Sequence, residues 1–516
     1  MVALVLSTTS CEKYLDINEN TNSPTTVQPD LVLPSGIVGS AAQSAAYNNY
    51  GGSLVGYIAN AGGFSGFGAL LNYDFTPGFF SNWTGTYDNL NDYKYVIDQT
   101  EGDDHAAYFN AAAKIMTAYM YQLVVDAHGD VPYTDALQGT DNLTPSYDSA
   151  PAIYQDLVAK LSEAISIIDN AENPTALNSA SDPLFGGDMD LWKRFANTIK
   201  LRMLVRISGV SSLQDFVSSQ FSSLDESIGF LEDDAIANPG YVLDRPNPTW
   251  SRWGYTTTGN VANSSRVPTF YIYGYYDGNK LNDPGRGSLI FNDFGNGDRP
   301  TPLNQLGVEQ DNPPIRSNYS PWYTGVRESA SSISNALGVV KGSSQGEPLM
   351  LAAESYFLQS EAQLKGYISG DAKESFESGI AASFVYLNKN VNGDVNESEA
   401  LSDVELYFAS NNSSKLVNFD LAASDEEKME AIITQKYIAL NMIHGHEAWN
   451  EYRRTGYPRT SPSADKYNNF ASINSNSTRP DELPTILLYP QTEFAYNPTN
   501  VKTLNHFSDL IFWAKQ

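Results

Sequence analysis

Apolar residues recur at helical spacing over two long stretches of the chain. Ile153, Leu157, Leu161, Ile165 and Ile168 fall on one stripe, and Ala111 to Val125 is rich in Ala, Met, Tyr and Leu without Pro or Gly. Leu191 to Ile207 sets Trp192, Phe195, Ala196, Ile199 and Met203 on one face, with Lys193, Arg194, Lys200, Arg202 and Arg206 expected to pair with acidic neighbours. Helical spacing returns over Leu349–Lys365, Asp371–Leu387 and Asp425–Arg454, with Gly366 placed as a stop. Between Asn238 and Glu347 the pattern dissolves into Gly, Pro, Asn, Asp, Ser and aromatic residues. The pattern predicts a mainly α fold: helical scaffold over 33–237 and 348–516, with a loop-rich, ligand-binding lobe over 238–347.

The length of 516 residues exceeds what one simple core usually holds, consistent with a helical scaffold carrying a large insertion. The net charge of −29 opposes binding to nucleic acid or to anionic lipid, and the expectation is no nucleic-acid partner. Cys11 is the one cysteine, which excludes an internal disulfide. The apolar run Met1–Leu6 and the small residues Ser7–Ser10 before it resemble the end of a lipoprotein signal peptide. Residues 1–10 then read as a signal-peptide remnant and 11–32 as anchor and tether; the alternative is an inert thiol. No later stretch reaches the roughly 18 apolar residues of a membrane helix, so a lipid on Cys11 is the expected membrane anchor.

Asp16, Asn18, Asn20 and Asn22 imitate the start of a calcium loop, but Thr21 and Val27 stand where its Gly and bidentate Glu belong. An Asx-rich turn explains them better, and no cofactor is expected. No Walker loop, dinucleotide fingerprint, HExxH pair or GxSxG elbow occurs, and no catalytic residue is assigned. His444 and His446 are close in sequence, yet two residues apart on a helix they would face different ways, so no metal site is expected. Sixty acidic residues make chance carboxylate pairs inevitable, which keeps glycoside hydrolysis as an alternative.

Aromatic clusters in Gly- and Asn-rich loops are the chief chemical signal, because sugar C–H faces stack on aromatic planes and sugar hydroxyls need Asn, Asp and Arg partners. One cluster supplies Tyr73, Asp74 and Trp83, beside Phe64, Phe67, Phe75 and Phe80, which lack a polar tip and read as core. The other supplies Trp250, Arg252, Trp253, Tyr255, Trp322 and Tyr323, near Tyr271, Tyr273, Tyr275, Tyr276 and Tyr319. These nine are the candidate ligand contacts. Few cations besides Arg245, Arg252, Arg266, Arg286, Arg299, Arg316 and Arg327 serve this lobe, which favours neutral over acidic sugars, although any of them could clamp a carboxylate.

Several segments, in order, resemble the SusD/RagB family. Cys11 followed by Tyr14-Leu15-Asp16-Ile17-Asn18 is similar to its entry segment, and Trp83, Tyr87 and Asn91 to its early helix. Asp126 to Leu137 resembles its D-x-x-G-D-hydrophobic-P-Y-x-x-A-L turn, and Trp192 to Arg202 its Trp-to-Arg helix. Ala353–Ala362 with Lys365-Gly366, Gln435–Tyr437, and Glu447–Gly456 complete the likeness. Asn282-Asp283-Pro284-Gly285-Arg286 departs from it, with a Gly where the family commonly runs Asp-Pro-Arg. The resemblance implies a tetratricopeptide-like scaffold without catalytic residues, at the cell surface as an outer-membrane lipoprotein. It also implies a SusC-like TonB-dependent transporter that receives oligosaccharides from it, or peptides in the RagB branch. A plain helical interaction scaffold is the third class the residues leave open.

Overall fold

The computed structural model describes residues 27–62, 67–309, 320–325, 336–462 and 465–515. Cys11, the calcium-like stretch 16–22, Phe64, Arg316, Tyr319 and Arg327 lie outside them.

The first half is built from α1 (Pro29–Leu54), the short α2 (Gly68–Asn72), α3 (Asn82–Thr100), α4 (Ala107–His128), α5 (Ala150–Asn170), α6 (Met189–Ile207) and α7 (Gln214–Ser222). A connecting region carries α8 (Pro248–Trp253), α9 (Phe270–Tyr273) and α10 (Pro284–Ile290). The second half adds α11 (Ala352–Leu364), α12 (Ala372–Asn388), α13 (Glu397–Ser410), α14 (Asp425–Ala439), α15 (Gly445–Thr455) and α16 (Gln491–Tyr496). Successive helices pack side by side, α3 on α4, α4 on α5, α5 on α6, then α11 on α12 and α12 on α13. This is the tetratricopeptide-like, mainly α architecture expected. No described helix is long and apolar enough to cross a membrane.

The stripe on α5 is buried at Ile153, Leu157, Leu161 and Ile168, as its spacing requires. Asp188 caps α6 and Asp371 caps α12, each carboxylate accepting from two backbone N–H groups of the first turn. Four differences from the sequence pattern have physical causes. The first helix begins at Pro29, inside the stretch read as tether, because Pro at the first turn has no amide to leave unsatisfied. Leu349 and Met350 belong to a strand, not to the helix that follows. The span Asp425–Arg454 divides into α14 and α15, with Met442 in the left-handed region (φ 64°) at the break. Finally, the region 238–347 is stitched into the scaffold rather than set apart from it.

One short strand pair ties this region to the first half, a second joins its two flanks, and a third lies within the first half. β1 (Ile58–Asn60) runs antiparallel to β5 (Arg266–Pro268), and β4 (Ala235–Ala237) to β6 (Glu347–Met350); β2 (Val131–Pro132) pairs with β3 (Tyr147–Asp148). The Asp126–Leu137 turn is structural. Asp130 Oδ1 accepts the Ala150 N–H at 2.9 Å, and Asp148 Oδ2 accepts the Tyr133 and Thr134 N–H groups at 3.0 and 2.9 Å, fixing the turn against the start of α5. Where α1 crosses α15 the backbones touch. A Cβ on Gly51 would stand 2.2 Å from the His446 nitrogen, and one on Gly445 would stand 2.4 Å from the Gly52 nitrogen. Asn48 locks the crossing, donating to Met442 O at 2.8 Å and accepting the Gly445 N–H at 2.7 Å.

The core also contains charge. Arg202 and Arg206 of α6, Lys436 of α14 and Arg454 of α15 meet Asp126, Glu354, Glu361, Glu447 and Glu451, all buried. Lys193 and Arg194 pair at the surface with Asp169 and Glu232, as expected; Lys200 instead donates to Ser162 Oγ at 2.9 Å.

Candidate ligand-binding site

The two halves of the second aromatic cluster meet. The Trp253 and Trp322 rings lie 4.7 Å apart at 62°, and Trp250 lies 5.8 Å from Tyr255. Ser320 Oγ donates to Trp253 O at 3.0 Å, tying the two loops together. The indoles do not form an open platform: Trp250, Trp253 and Trp322 are 3%, 1% and 1% exposed. Here the expectation of stacking contacts gives way to packing, since rings this large gain more by burial against each other than by display in short loops. Tyr255 is also buried, whereas Arg252 and Tyr323 are half-buried and reach solvent.

The first cluster lies elsewhere, and no ring contact among the described residues joins it to the second. Tyr73 is fully buried, caps α2 in the left-handed region (φ 56°), and its hydroxyl accepts the Ser472 N–H at 3.0 Å. Asp74 is exposed beside it. Trp83 packs on Tyr87, His128 and Tyr489 at 5.0, 5.2 and 5.8 Å. Its edge lines an apolar groove of about 340 Å³ with Tyr87, Pro132, Leu137, Pro145 and Tyr496.

An open cleft of about 350 Å³ separates α1 from α8. Ala42, Ala45 and Ala46 form one wall; Ser251, Arg252 and Asn263 give the other its polar groups. On β5 the Arg266 guanidinium sits 4.8 Å over the Phe67 ring, and burial, with the charge of Arg252 adding, lowers it to about 10. The strand edge that carries Arg266 is rigid. Asn60, its partner in β1, donates to Val308 O at 2.8 Å and accepts the Gly307 N–H at 3.1 Å, and Asn304 donates to Asn60 O at 2.8 Å.

The helix that carries Arg252 is anchored just as firmly. Asn247 caps α8, its side chain accepting the Trp250 N–H at 2.9 Å. Glu347 accepts from Asn247 Nδ2 at 2.8 Å, Thr249 Oγ1 at 2.7 Å and Thr249 N–H at 3.2 Å. Burial pushes the Glu347 carboxyl up to about 7, against the pull of those hydrogen bonds. Of this site, sequence reasoning named Arg252. It left out Asn263 and the alanine wall, while Phe67, assigned to the core, is indeed buried. Small residues at positions 42, 45 and 46 on one helix face were the available signal for a close approach.

Among the described residues no group of three His, Cys, Asp or Glu side chains could hold an ion. His444 and His446 do approach, with ring centroids 5.5 Å apart, because His444 precedes the first turn of α15 instead of lying within it. Both are buried, and desolvation holds both below the usual histidine range.

A protein-family model of SusD-like proteins, described as starch-binding and associating with the outer membrane, matches residues 21–480. A solved SusD homologue from Bacteroides uniformis is similar at 24% identity and TM-score 0.68, covering 94% of this chain and 99% of its own. One from Bacteroides fragilis gives 22% identity and TM-score 0.69, covering 95% and 99%. A chitin-binding SusD homologue from Flavobacterium johnsoniae gives 22% identity and TM-score 0.66, covering 93% and 98%. No curated protein matches the sequence.

Proposed function

The chain belongs to the SusD-like family, and from that premise we propose that it captures oligosaccharides at the bacterial surface and passes them, uncleaved, to a SusC-like TonB-dependent transporter. Members of this family are binding proteins associated with the outer membrane. Anchoring would come from a lipid on Cys11.

The observation that carries the ligand reading is the cleft between α1 and α8. It is open, and its polar side chains are Ser251, Arg252 and Asn263. Sugar hydroxyls find donors and acceptors there. Because both walls rest on anchored elements, binding needs little ordering of the protein.

Asp126, Glu354, Glu361, Glu447 and Glu451 are buried among arginines and lysines, where none can act as a general acid on a glycosidic bond. Calorimetry of the soluble protein starting after Cys11, against neutral and acidic oligosaccharides and mixed oligopeptides, tests the reading. Glycan binding that weakens in Arg252→Ala supports it. Peptide-only binding would replace it with a peptide-capturing lid, and released product would end the claim of a non-enzyme.

A further inference from the structure

The groove at Trp83 shares no lining residue with the cleft between α1 and α8. Its space of about 340 Å³ lies between the first two turns of α3, the end of the Asp126–Leu137 turn and α16. Two kinds of surface meet in it. Trp83 and Tyr87 of α3 and Pro132, Ala136 and Leu137 of the turn make one side apolar, and Tyr496 of α16 adds a ring that is 76% exposed, the most exposed large apolar side chain among the described residues. The polar lining is all oxygen: Thr84 and Asp88 of α3, Thr492 and Glu493 of α16, with no Lys, Arg or His among the lining residues.

The groove is built rather than left over. Tyr87 Oη donates to Pro132 O at 2.7 Å, Tyr147 Oη to Glu493 Oε2 at 2.6 Å and Asn497 Nδ2 to Pro145 O at 2.9 Å, which ties all three walls together. Leu137 is held in the left-handed region (φ 61°), a backbone that a leucine adopts only under constraint, and the constrained residue lines the groove. Thr84, Asp88 and Thr492 are exposed and have no side-chain hydrogen bond or ion pair among the described residues, so their oxygens are open to a ligand.

The lining selects among occupants. An acidic ligand would meet Asp88 and Glu493 with no cation to offset them. An apolar protein segment would cover those carboxylates without offering a donor. Neither carboxylate calls for a counterion, since Asp88 stands in solvent and Glu493 already accepts from Tyr147 and Asn497. A sugar ring supplies both complements, C–H faces for the aromatic side and hydroxyl donors for the oxygens.

We propose that this groove is a second glycan subsite, in which Tyr496 stacks on the face of a neutral sugar residue and Asp88 and Glu493 accept its hydroxyls. This rests on the reading of the chain as a glycan-capturing protein and adds a contact surface apart from the α1–α8 cleft.

Calorimetric titration with maltooligosaccharides and chitooligosaccharides, beside oligogalacturonates and glucosamine oligomers, tests the proposal in the parent and in Arg252→Ala. Neutral oligosaccharides are expected to bind about three- to tenfold more weakly in Tyr496→Ala, and likewise in Asp88→Ala, in both backgrounds. Tyr496→Phe keeps the ring and should stay within about twofold of the parent. Both altered side chains are exposed, and thermal denaturation establishes that each variant is folded. Neutral-glycan binding that falls in Arg252→Ala but is unchanged in Tyr496→Ala and Asp88→Ala overturns the subsite and leaves glycan capture standing. A loss in Tyr496→Phe as large as in Tyr496→Ala overturns the stacking. Glucosamine oligomers that bind more tightly than the neutral chains and lose that advantage in Asp88→Ala overturn the neutral ligand. No binding to any glycan overturns both the subsite and the reading beneath it.

Discussion

Arg454 on α15 donates Nη1–H to Glu361 Oε1 at 2.7 Å and Nη2–H to Glu361 Oε2 at 2.6 Å, a fork-on-fork pair that fastens α15 to α11. Burial disfavours the charged form of Glu361, but Arg454 and Lys365 outweigh it, so the carboxyl is held below its ordinary value. Removing Arg454 leaves the buried Glu361 with Lys365 alone, at 2.7 Å. Arg454→Met is expected to lower the unfolding free energy by about 3–5 kcal/mol, read by urea denaturation. A loss under about 1 kcal/mol would mean the pair behaves like a surface salt bridge.

The crossing of α1 over α15 depends on missing Cβ atoms. In Gly445→Ala the new methyl would meet the Gly52 nitrogen at 2.4 Å, and backbone cannot yield as a side chain can. Thermal denaturation should register a loss of about 1–3 kcal/mol or more. Gly209→Ala, where nothing lies within 4 Å, serves as the matched substitution and should stay within about 0.5 kcal/mol of the parent.

Trp322 is predicted to matter for folding and not for ligand. Trp322→Ala removes a buried ring packed on Trp253 and should cost about 3–5 kcal/mol by denaturant titration. A stable Trp322→Ala protein that had lost only its glycan affinity would restore the indole to the binding surface.

Glu347 gives the stability a slope near neutral pH. An unfolded glutamate titrates near about 4.3, whereas burial pushes this one up to about 7. The folded state therefore holds the proton more tightly. Its contribution is complete below about pH 4 and is lost as pH rises through about 7. Glu347→Gln, compared with the parent by urea midpoints at roughly pH 5 and pH 8, should remove that part of the decline. An identical pH dependence in the two proteins would show that the three hydrogen bonds from Asn247 and Thr249 keep the carboxylate ionised at both.

Much of the fold was legible because helical spacing survives tertiary packing. Ile153, Leu157, Leu161 and Ile168 needed nothing beyond their period to be placed, and the Asp126–Leu137 turn and the Trp192–Arg202 helix identified the architecture. The site was less legible. Trp250, Trp253 and Trp322 carry the same composition signal whether a loop displays them or folds over them, and only the three-dimensional meeting of residues 250–255 with 320–324 decides for burial. The partners of the buried arginines give no local signal, because a counterion can arrive from anywhere in the chain; Glu447 meets Arg206 from 241 residues away. The break between α14 and α15 was hidden for another reason. Its apolar residues keep helical spacing through Leu440 and Ile443, and Met442 adopts its left-handed backbone to let Gly445 meet α1.

The central claim is capture without cleavage. The most direct measurement is calorimetry of the soluble protein with the oligosaccharide panel, with chromatography of each mixture after prolonged incubation. The account predicts saturable binding that weakens in Arg252→Ala, with the oligosaccharide recovered at its original length. Shortened products, or no binding to any glycan, would contradict it.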